Sequence, residues 1–161
     1  MRRIVLSLSL MAVIVTIFAT AASAVTKTGS QGPDELIGTG DADTLYGLNG
    51  ADTLRGRGGN DHLYGGRDGD TVYGGDGNDQ IYLGGGTDLA YGGSGDDYIE
   101  GGARPDTIFG GAGDDTHNAV DGVVGNDLVS GGGGTNDRCY VDSADEADGT
   151  CEHILISVEM M

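Results

Sequence analysis

Residues 74–82 read Gly-Gly-Asp-Gly-Asn-Asp-Gln-Ile-Tyr, a glycine-rich acidic loop of six residues followed by three residues that suit a β-strand. The same nine-residue unit recurs on both sides of this stretch. Its sixth position is an aspartate in ten consecutive units, with no insertion or deletion between them: Asp34, Asp43, Asp52, Asp61, Asp70, Asp79, Asp88, Asp97, Asp106 and Asp115. Composition alone cannot produce this register, so the chain is a tandem repeat.

An apolar residue stands two positions after nine of these aspartates: Leu36, Leu45, Leu54, Leu63, Val72, Ile81, Ala90, Ile99 and Ile108. The consensus is therefore Gly-Gly-x-Gly-x-Asp-x-U-x, where U is apolar. A strand of three residues is too short to stand alone, but it can form a continuous ladder when it is stacked on copies of itself. His117 takes the U position of the tenth unit, and we expect it to mark the end of the regular coil.

This consensus resembles the RTX (haemolysin-type) calcium-binding repeats of secreted bacterial toxins, proteases and lipases. The resemblance covers residues 29–118 and resumes at residues 122–130, after a slip of three residues. It implies an all-β fold, a parallel β-roll (a β-helix-like solenoid) of nonapeptide repeats. It also implies several Ca²⁺ ions, each held between one loop and the loop two units further on.

Nine residues make half a coil, so the U side chains should point inward alternately from two facing sheets. We expect Leu36, Leu54, Val72, Ala90 and Ile108 in one sheet, and Leu45, Leu63, Ile81 and Ile99 in the other. Stacked turns should lie about 4.8 Å apart. This core is thin, and 33 glycines with two phenylalanines cannot build an ordinary globular interior.

The loops supply the ligands that calcium prefers. Glycines allow backbone angles with φ > 0 and bring carbonyl oxygens inward, while each aspartate adds a carboxylate. The candidate metal-binding aspartates are Asp43, Asp52, Asp61, Asp70, Asp79, Asp88, Asp97, Asp106, Asp115 and Asp127. The candidate glycines are Gly56, Gly59, Gly74, Gly77, Gly92, Gly95, Gly110 and Gly113.

The loops divide into two classes by their position in the series. The even loops, which match the consensus closely, are residues 56–61, 74–79, 92–97 and 110–115. The odd loops, which depart from it, are residues 47–52, 65–70, 83–88 and 101–106. Alternate loops fall on opposite edges of the roll, so we expect one strong and one weak calcium edge.

The N-terminus has the pattern of a secretory signal peptide over residues 1–24, with Arg2 and Arg3, an apolar run over residues 4–18 and Ala22-Ser23-Ala24 at the cleavage point. An uncleaved membrane anchor is the alternative. Cleavage removes two positive charges and no acid, which changes the formal charge from −18 to −20. We therefore expect a secreted chain that attracts cations, binds no nucleic acid and has no stable membrane insertion after cleavage.

The remaining sequence divides into the roll, residues 25–137, and a C-terminal capping segment, residues 138–161. An oxidising environment favours a disulfide between Cys139 and Cys151, which would close a loop worth about 3 kcal/mol. A metal pair or a catalytic thiol is the alternative, and His153 is the histidine nearest to them in the sequence. We expect an apolar group in this segment to cover the open end of the roll: Ile154, Leu155, Ile156 and Val158.

Aromatic residues recur at outward positions, which indicates either a ladder of stacked rings or a face that binds a glycan or a protein. They are Tyr46, Tyr64 and Tyr82 on one sheet and Tyr73, Tyr91 and Phe109 on the other.

The sequence has no His-Glu-x-x-His zinc motif, nucleophile elbow or phosphate loop, so we expect no enzyme. The predicted function is calcium binding by a secreted module that folds on binding calcium and has a structural or interaction role. A cell-surface or extracellular protein or glycan would be its partner. The alternative is a secretion or folding accessory, or an orphan remnant of a larger RTX toxin or enzyme.

Overall fold

The computed structural model describes residues 23–122, 126–143 and 145–157, so most of the predicted signal peptide lies outside the described residues. The described residues form fifteen strands: β1 (Thr26–Thr28), β2 (Glu35–Ile37), β3 (Thr44–Asn49), β4 (Thr53–Gly58), β5 (His62–Arg67), β6 (Thr71–Asp76), β7 (Gln80–Gly85), β8 (Leu89–Ser94), β9 (Tyr98–Ala103), β10 (Thr107–Ala112), β11 (Thr116–Asn118), β12 (Leu128–Gly133), β13 (Arg138–Asp142), β14 (Glu146–Ala147) and β15 (His153–Ser157). Within the described residues, no helix has the length and apolar character needed to cross a membrane.

Consecutive strands alternate between two parallel sheets. The odd-numbered strands β1 to β15 form an eight-stranded sheet, and the even-numbered strands β2 to β14 form a seven-stranded one. Through the repeats each residue pairs with the residue eighteen positions later, as Leu63 does with Ile81. The chain is therefore the parallel β-roll that the nine-residue period predicts, with one turn for every two units.

Most strands are six residues long rather than the three that the sequence predicts. The extra residues are the first three of each glycine-rich loop, which continue the parallel ladder: Gly66 pairs with Gly84, and Arg67 with Gly85. Pairing extends this far because stacked copies of the loop satisfy one another's backbone groups. The turn is therefore confined to the last three positions of the loop, the last of which is the repeated aspartate.

The apolar U side chains meet between the two sheets in the predicted arrangement. Leu54, Val72, Ala90 and Ile108 of the seven-stranded sheet, and Leu45, Leu63, Ile81 and Ile99 of the eight-stranded sheet, are all fully buried. Leu36 packs against this core from its edge. Leu83, which replaces a loop glycine, is also fully buried. The core is one side chain thick from each sheet, so it supplies less apolar burial than a globular domain of this length.

The predicted slip after Asn118 changes the register but does not end the roll. Thr107 pairs with Leu128, 21 residues later, and Thr116 pairs with Arg138, 22 residues later. The insertions fall in the loops, and both sheets continue through β12 to β15 with parallel pairing. The tail after residue 137 therefore supplies strands to both sheets of the roll.

The expectation that His117 marks the end of the coil is wrong. His117 is fully buried in β11, where it pairs with Ile99 on one side and Cys139 on the other. In the next turn the buried Cys139 lies beside it, with its Sγ 3.5 Å from Nδ1 of His117. Regular packing thus continues through the break in the apolar series.

The C-terminal segment is joined by the predicted disulfide between Cys139 and Cys151. Ile154 and Ile156 pair with Cys139 and Val141, which are buried, and their own side chains and that of Leu155 remain 47%, 57% and 45% exposed. They lie in β15, the last strand of its sheet, and no further described strand packs on it. Val158 lies outside the described residues.

The outward aromatic residues stack along the roll axis. The rings of Tyr46, Tyr64 and Tyr82 follow one another at 4.8 and 5.1 Å between centroids, nearly parallel. On the other sheet Tyr73, Tyr91 and Phe109 stack at 5.2 and 5.1 Å. These spacings match the distance between stacked turns, which confirms the prediction that the aromatic residues form ladders of stacked rings. Because the inner rings cover one another's faces, they offer mainly their edges to the solvent.

Candidate metal centres

The loop aspartates form a continuous ladder along each edge of the roll. On the even-loop edge the main-chain N–H of Asp61 donates to Oδ1 of Asp79 over 2.8 Å, and Asp79 donates in the same way to Asp97. On the odd-loop edge Asp52 donates to Asp70 and Asp70 to Asp88, over 2.8 and 2.7 Å. The structure therefore brings together the aspartates that are two units apart, as the resemblance implies.

The second carboxylate oxygen is buried and unsatisfied at most rungs of both ladders. No hydrogen-bond partner among the described residues reaches Oδ2 of Asp52, Asp61, Asp70, Asp79, Asp88, Asp97, Asp115 and Asp137. All eight side chains are at most 3% exposed. A buried carboxylate oxygen without a partner is costly, and the cost is relieved by a proton or by a cation.

Burial changes the protonation of these carboxyl groups. It raises the pKa of Asp70, Asp79, Asp97 and Asp115 to about 7, that of Asp106 to about 8 and that of Asp127 to about 6. Burial also raises the pKa of Asp52, Asp61, Asp88 and Asp137. Neighbouring aspartates at most of these rungs add to the rise through like-charge repulsion. Near neutral pH the ladders therefore exchange protons readily, and a cation can take their place.

The first glycine of each even loop leaves a space lined by oxygen atoms. A Cβ placed on Gly74 would lie 2.3 Å from Oδ2 of Asp79 and 2.4 Å from the carbonyl oxygen of Gly92. The same pair of oxygens surrounds the equivalent point at Gly56, Gly92 and Gly110. Glycine lets these two oxygens approach this closely, because a Cβ here would overlap both of them. The unsatisfied carboxylate oxygen thus lies beside a main-chain carbonyl from the next turn.

The glycine at the fourth position of each even loop has a backbone conformation that other residues rarely adopt. Its φ angle is positive in all four loops, at Gly59, Gly77, Gly95 and Gly113. The candidate glycines predicted from the sequence therefore have two separate roles. Those at the first position make room beside the carboxylate, and those at the fourth position make the turn.

The even-loop edge carries a second polar ladder that the odd-loop edge lacks. The fifth loop position is Asn60, Asn78, Asp96 and Asp114. The N–H of Asn78 donates to Oδ1 of Asn60 over 3.0 Å, and Asp96 and Asp114 continue the pattern at 3.1 and 2.9 Å. In the odd loops the fifth position is Ala51, Gly69, Thr87 and Pro105. The even loops therefore present more side-chain oxygens beside each carboxylate.

The odd loops also depart from the consensus in their backbone. Leu48, Asp68 and Arg104 adopt positive φ angles of 89°, 71° and 85°, which are strained for residues with a side chain. On the even edge Arg57 is the corresponding exception, with φ of 85°. Leu83 stands where the other odd loops have their first glycine, and its side chain is fully buried in the core. Both edges share the carboxylate ladder, and they differ in what surrounds it.

The two ends of the ladders differ from the middle. Both carboxylate oxygens of Asp43 accept hydrogen bonds, from the N–H of Val25 at 2.6 Å and from the N–H of Thr39 at 2.5 Å. This predicted ligand therefore has less free capacity than the later aspartates. At the other end Asp127 is aligned with Asp106, whose N–H donates to its Oδ1 over 2.8 Å.

Sequence reasoning missed three acidic residues that extend the ladders. Asp137 accepts from the N–H of Asp115 over 2.7 Å, and its own N–H donates to Oε2 of Glu152 over 2.8 Å. On the other edge Oδ1 of Asp145 accepts from the N–H of Asn126 over 3.0 Å. The glycine run at residues 131–134 that precedes Asp137 was the available signal. One additional residue in that loop hid the nine-residue spacing.

Carboxylate and main-chain carbonyl oxygens make a donor set that suits calcium, which takes six to eight oxygen ligands. The family profile described as RTX calcium-binding nonapeptide repeat (4 copies) matches residues 28–63, 55–90 and 91–123. Comparison with curated proteins and with solved structures gave no match. The profile covers more than half of the chain, and the roll, the period and the oxygen-lined loops agree with it. The chain therefore belongs to the RTX calcium-binding nonapeptide repeat family.

Proposed function

We propose that this chain folds when its loop ladders bind calcium, and that the folded roll serves as an exported structural or interaction module without catalytic activity. The observation that carries the proposal is the row of buried carboxylates with one unsatisfied oxygen each. Burying these oxygens without a hydrogen-bond partner or a cation destabilises the folded roll. Bound calcium would supply the missing positive charge and would join oxygens from successive turns.

The cation-free chain lacks the means to compensate for this arrangement. Stacked carboxylates repel one another, glycine-rich loops lose more backbone entropy on folding than other sequences do, and the core is thin. The chain carries 26 acidic residues against eight basic ones. We therefore expect a disordered chain above neutral pH in the absence of calcium.

The affinity should be of the grade found in extracellular modules, with Kd on the order of 10⁻⁴–10⁻³ M. Such sites would fill outside the cell. This agrees with the signal-like sequence of residues 1–24 and with a secreted location. In this proposal residues 25–137 form the calcium-binding part of the roll, and residues 138–161, whose strands continue both sheets, close its C-terminal end.

The proposed ligands are the aspartates and glycines named from the sequence, with Asp137 added, and the even-loop edge should bind more strongly. Support comes from the second polar ladder of Asn78, Asp96 and Asp114. Strained positive-φ residues at Asp68 and Arg104 weaken the other edge. Asp43, which precedes Asp61 on the same edge, should contribute least, because both of its carboxylate oxygens already accept hydrogen bonds.

Far-ultraviolet circular dichroism tests the proposal directly. The chain from Val25 onward is titrated with calcium up to about 10 mM, well above the expected Kd range. A cooperative rise of the β signal, absent with magnesium, is the expected result. A chain that is already folded in chelator at pH 8, or one that stays disordered in excess calcium, would contradict it.

The interaction role is tested separately. Recovery of a surface polymer or an extracellular protein with the folded chain, and its loss on chelation, would support an interaction module. Dependence of another protein's secretion or folding on this chain would instead support the accessory role. Both outcomes require a fold that depends on calcium. The result of this experiment therefore does not change the interpretation of the calcium titration.

A further inference from the structure

A buried cluster of nitrogen and sulfur ligands lies near the C-terminal end of the roll, next to the loop that begins at Gly110. One ligand atom each of His117, Cys139 and Cys151 lies within 4.8 Å of the other two. His117 and Cys139 are fully buried, and Cys151 is 7% exposed. The histidine that meets the cysteines is thus His117, 22 residues before Cys139, and not the sequence neighbour His153.

The imidazole of His117 is out of place as a packing residue. Its position in the repeat is apolar in the preceding units, and its Nε2 has no hydrogen-bond partner among the described residues. A leucine or an isoleucine would fill the position without leaving a buried nitrogen unsatisfied. Its Nδ1 lies 3.5 Å from Sγ of Cys139. Nδ1 is therefore the nitrogen that faces the cysteines and could bind a metal ion with them, while Nε2 faces the Gly110 loop.

We propose that His117, Cys139 and Cys151 form a binding site for a thiophilic divalent metal ion such as Zn²⁺ when the disulfide is reduced. Tetrahedral zinc has bonds of about 2.3 Å to sulfur and 2.0–2.1 Å to nitrogen, which places those two ligands about 3.5 Å apart. The separation between Nδ1 of His117 and Sγ of Cys139 equals this value. Three protein ligands leave the fourth position for water, as in open zinc sites.

The two states of the site are exclusive. In the oxidised chain Cys139 and Cys151 are bonded to each other, so neither sulfur is available as a thiolate. A phosphine with one water cleaves the S–S bond, giving two thiols while the phosphine becomes its oxide. The metal then displaces both thiol protons and binds two thiolates and the neutral imidazole. The same dithiol precedes oxidation in every newly synthesised chain.

The ligands of this site differ in type from those of the loops, because they are sulfur and imidazole nitrogen instead of oxygen. Calcium prefers hard oxygen ligands, whereas thiolates select zinc and similar ions. The two kinds of metal should therefore bind to the same molecule without competition. Saturating the loops with calcium keeps the roll folded while the reduced cluster is tested.

Cobalt(II) is the probe, because a thiolate ligand gives it a charge-transfer absorption band that carboxylate ligands do not give. The full chain is reduced with phosphine under argon in excess calcium, its two thiols are counted, and cobalt is titrated. We expect the band to saturate at about one cobalt per chain, the number of clusters, to disappear on addition of zinc, and to be absent from the oxidised protein. A fully reduced chain that gives no such band would overturn the proposal.

Two histidine variants distinguish this site from adventitious binding to the thiols. H117L restores the apolar residue of the repeat and removes one ligand, and loss of an outer-shell partner alone weakens metal binding 10- to 100-fold, so H117L should weaken it at least about 100-fold. H153L removes an exposed histidine close to Cys151 in sequence and should leave the affinity unchanged. Unchanged affinity in H117L, with its β signal retained, would contradict the proposed ligand set.

Discussion

The main-chain N–H of Asp79 donates a 2.8 Å hydrogen bond to Oδ1 of Asp97, while Oδ2 of Asp97 is buried without a partner in the described residues. One oxygen of the carboxylate thus holds two successive turns together, and the other is left for a proton or a cation. Because the same side chain serves both purposes, stacking of the turns and occupation of the site are coupled.

Removing the charge of one even-loop aspartate should weaken calcium binding more than removing that of an odd-loop aspartate. Asp79→Asn keeps an acceptor for the N–H of Asp61 but removes a charged ligand on the edge with the second polar ladder. We expect the calcium midpoint of folding to rise by roughly tenfold, the effect of about 1.4 kcal/mol. The midpoint is read by circular dichroism, and the bound ions are counted by equilibrium dialysis.

Asp88→Asn is the matched control for this substitution. Asp88 is equally buried and its Oδ2 is likewise unsatisfied within the described chain. It lies, however, on the odd-loop edge, where the second polar ladder is missing, so we expect a smaller rise of the midpoint and a smaller loss of bound calcium. Equal losses in the two variants would refute the distinction between the edges.

Acid should partly replace calcium. The pKa of Asp79, Asp97 and Asp115 is about 7 in the folded chain, against 3.8 ordinarily. Protonation therefore favours the folded state, fully below about pH 4 and progressively less as the pH rises through 7. In calcium-free buffer the β signal should increase as the pH is lowered from about 8 to 5.5. A signal that stays constant or falls over this range would contradict the raised pKa values.

The raised pKa values also predict how calcium binding depends on pH. Acid should favour folding without calcium but should weaken calcium binding. A cation must displace the protons that these carboxyls hold below pH 7, so the calcium midpoint should rise on acidification and protons should be released on binding. Proton release is measured with a pH indicator in weak buffer at about pH 6.5. Asp97→Asn removes one of the titrating groups and should reduce the release.

Much of the fold could be predicted because the sequence repeats a short unit. The aspartate register determines which strands pair, and Leu63 and Ile81 lie where the eighteen-residue turn requires. Strand length could not be predicted in the same way, since the pairing of Gly66 with Gly84 involves only backbone groups. The pattern of side chains does not predict how far backbone pairing extends into a glycine-rich loop.

The candidate sites were predicted only as far as the spacing was regular. Asp137 lies 22 residues after Asp115 and was missed because inserted loop residues lengthen the interval without disturbing the stacking. His117 was misinterpreted because a histidine at an apolar position looks like a break in the pattern. Only the three-dimensional register shows that Cys139 lies beside it. Contacts across inserted loops depend on where the extra residues are accommodated, and the sequence does not specify that.

The space beside the carboxylate should not tolerate a methyl group. A Cβ on Gly92 would lie 2.4 Å from Oδ2 of Asp97 and 2.5 Å from the carbonyl oxygen of Gly110. Gly92→Ala must therefore displace the carboxylate or the next turn, and we expect the calcium-bound form to be destabilised by more than about 1 kcal/mol. Chemical denaturation in saturating calcium measures this loss.

Gly58→Ala is the control for the loss of a glycine. The nearest atoms to its Cβ would be at 3.9 Å, and the equivalent positions in the next three turns carry side chains: Asp76, Ser94 and Ala112. This variant should be neutral or more stable by about 0.4–1 kcal/mol, because alanine reduces the entropy of the unfolded chain. A Gly92→Ala variant as stable as Gly58→Ala would show that the space beside Asp97 is not needed.

Relief of backbone strain should strengthen the odd-loop edge. Arg104 has a φ angle of 85°, in the region where residues with a side chain lose about 1–2 kcal/mol relative to glycine. Arg104→Gly should therefore stabilise the calcium-bound roll by about 1 kcal/mol and lower the calcium midpoint. Arg67→Gly removes the same charge from another odd loop at a position without a positive φ, so it should be neutral or slightly destabilising because glycine increases the entropy of the unfolded chain. If both variants bind calcium equally well, the gain comes from the lost arginine charge, and backbone strain does not limit this edge.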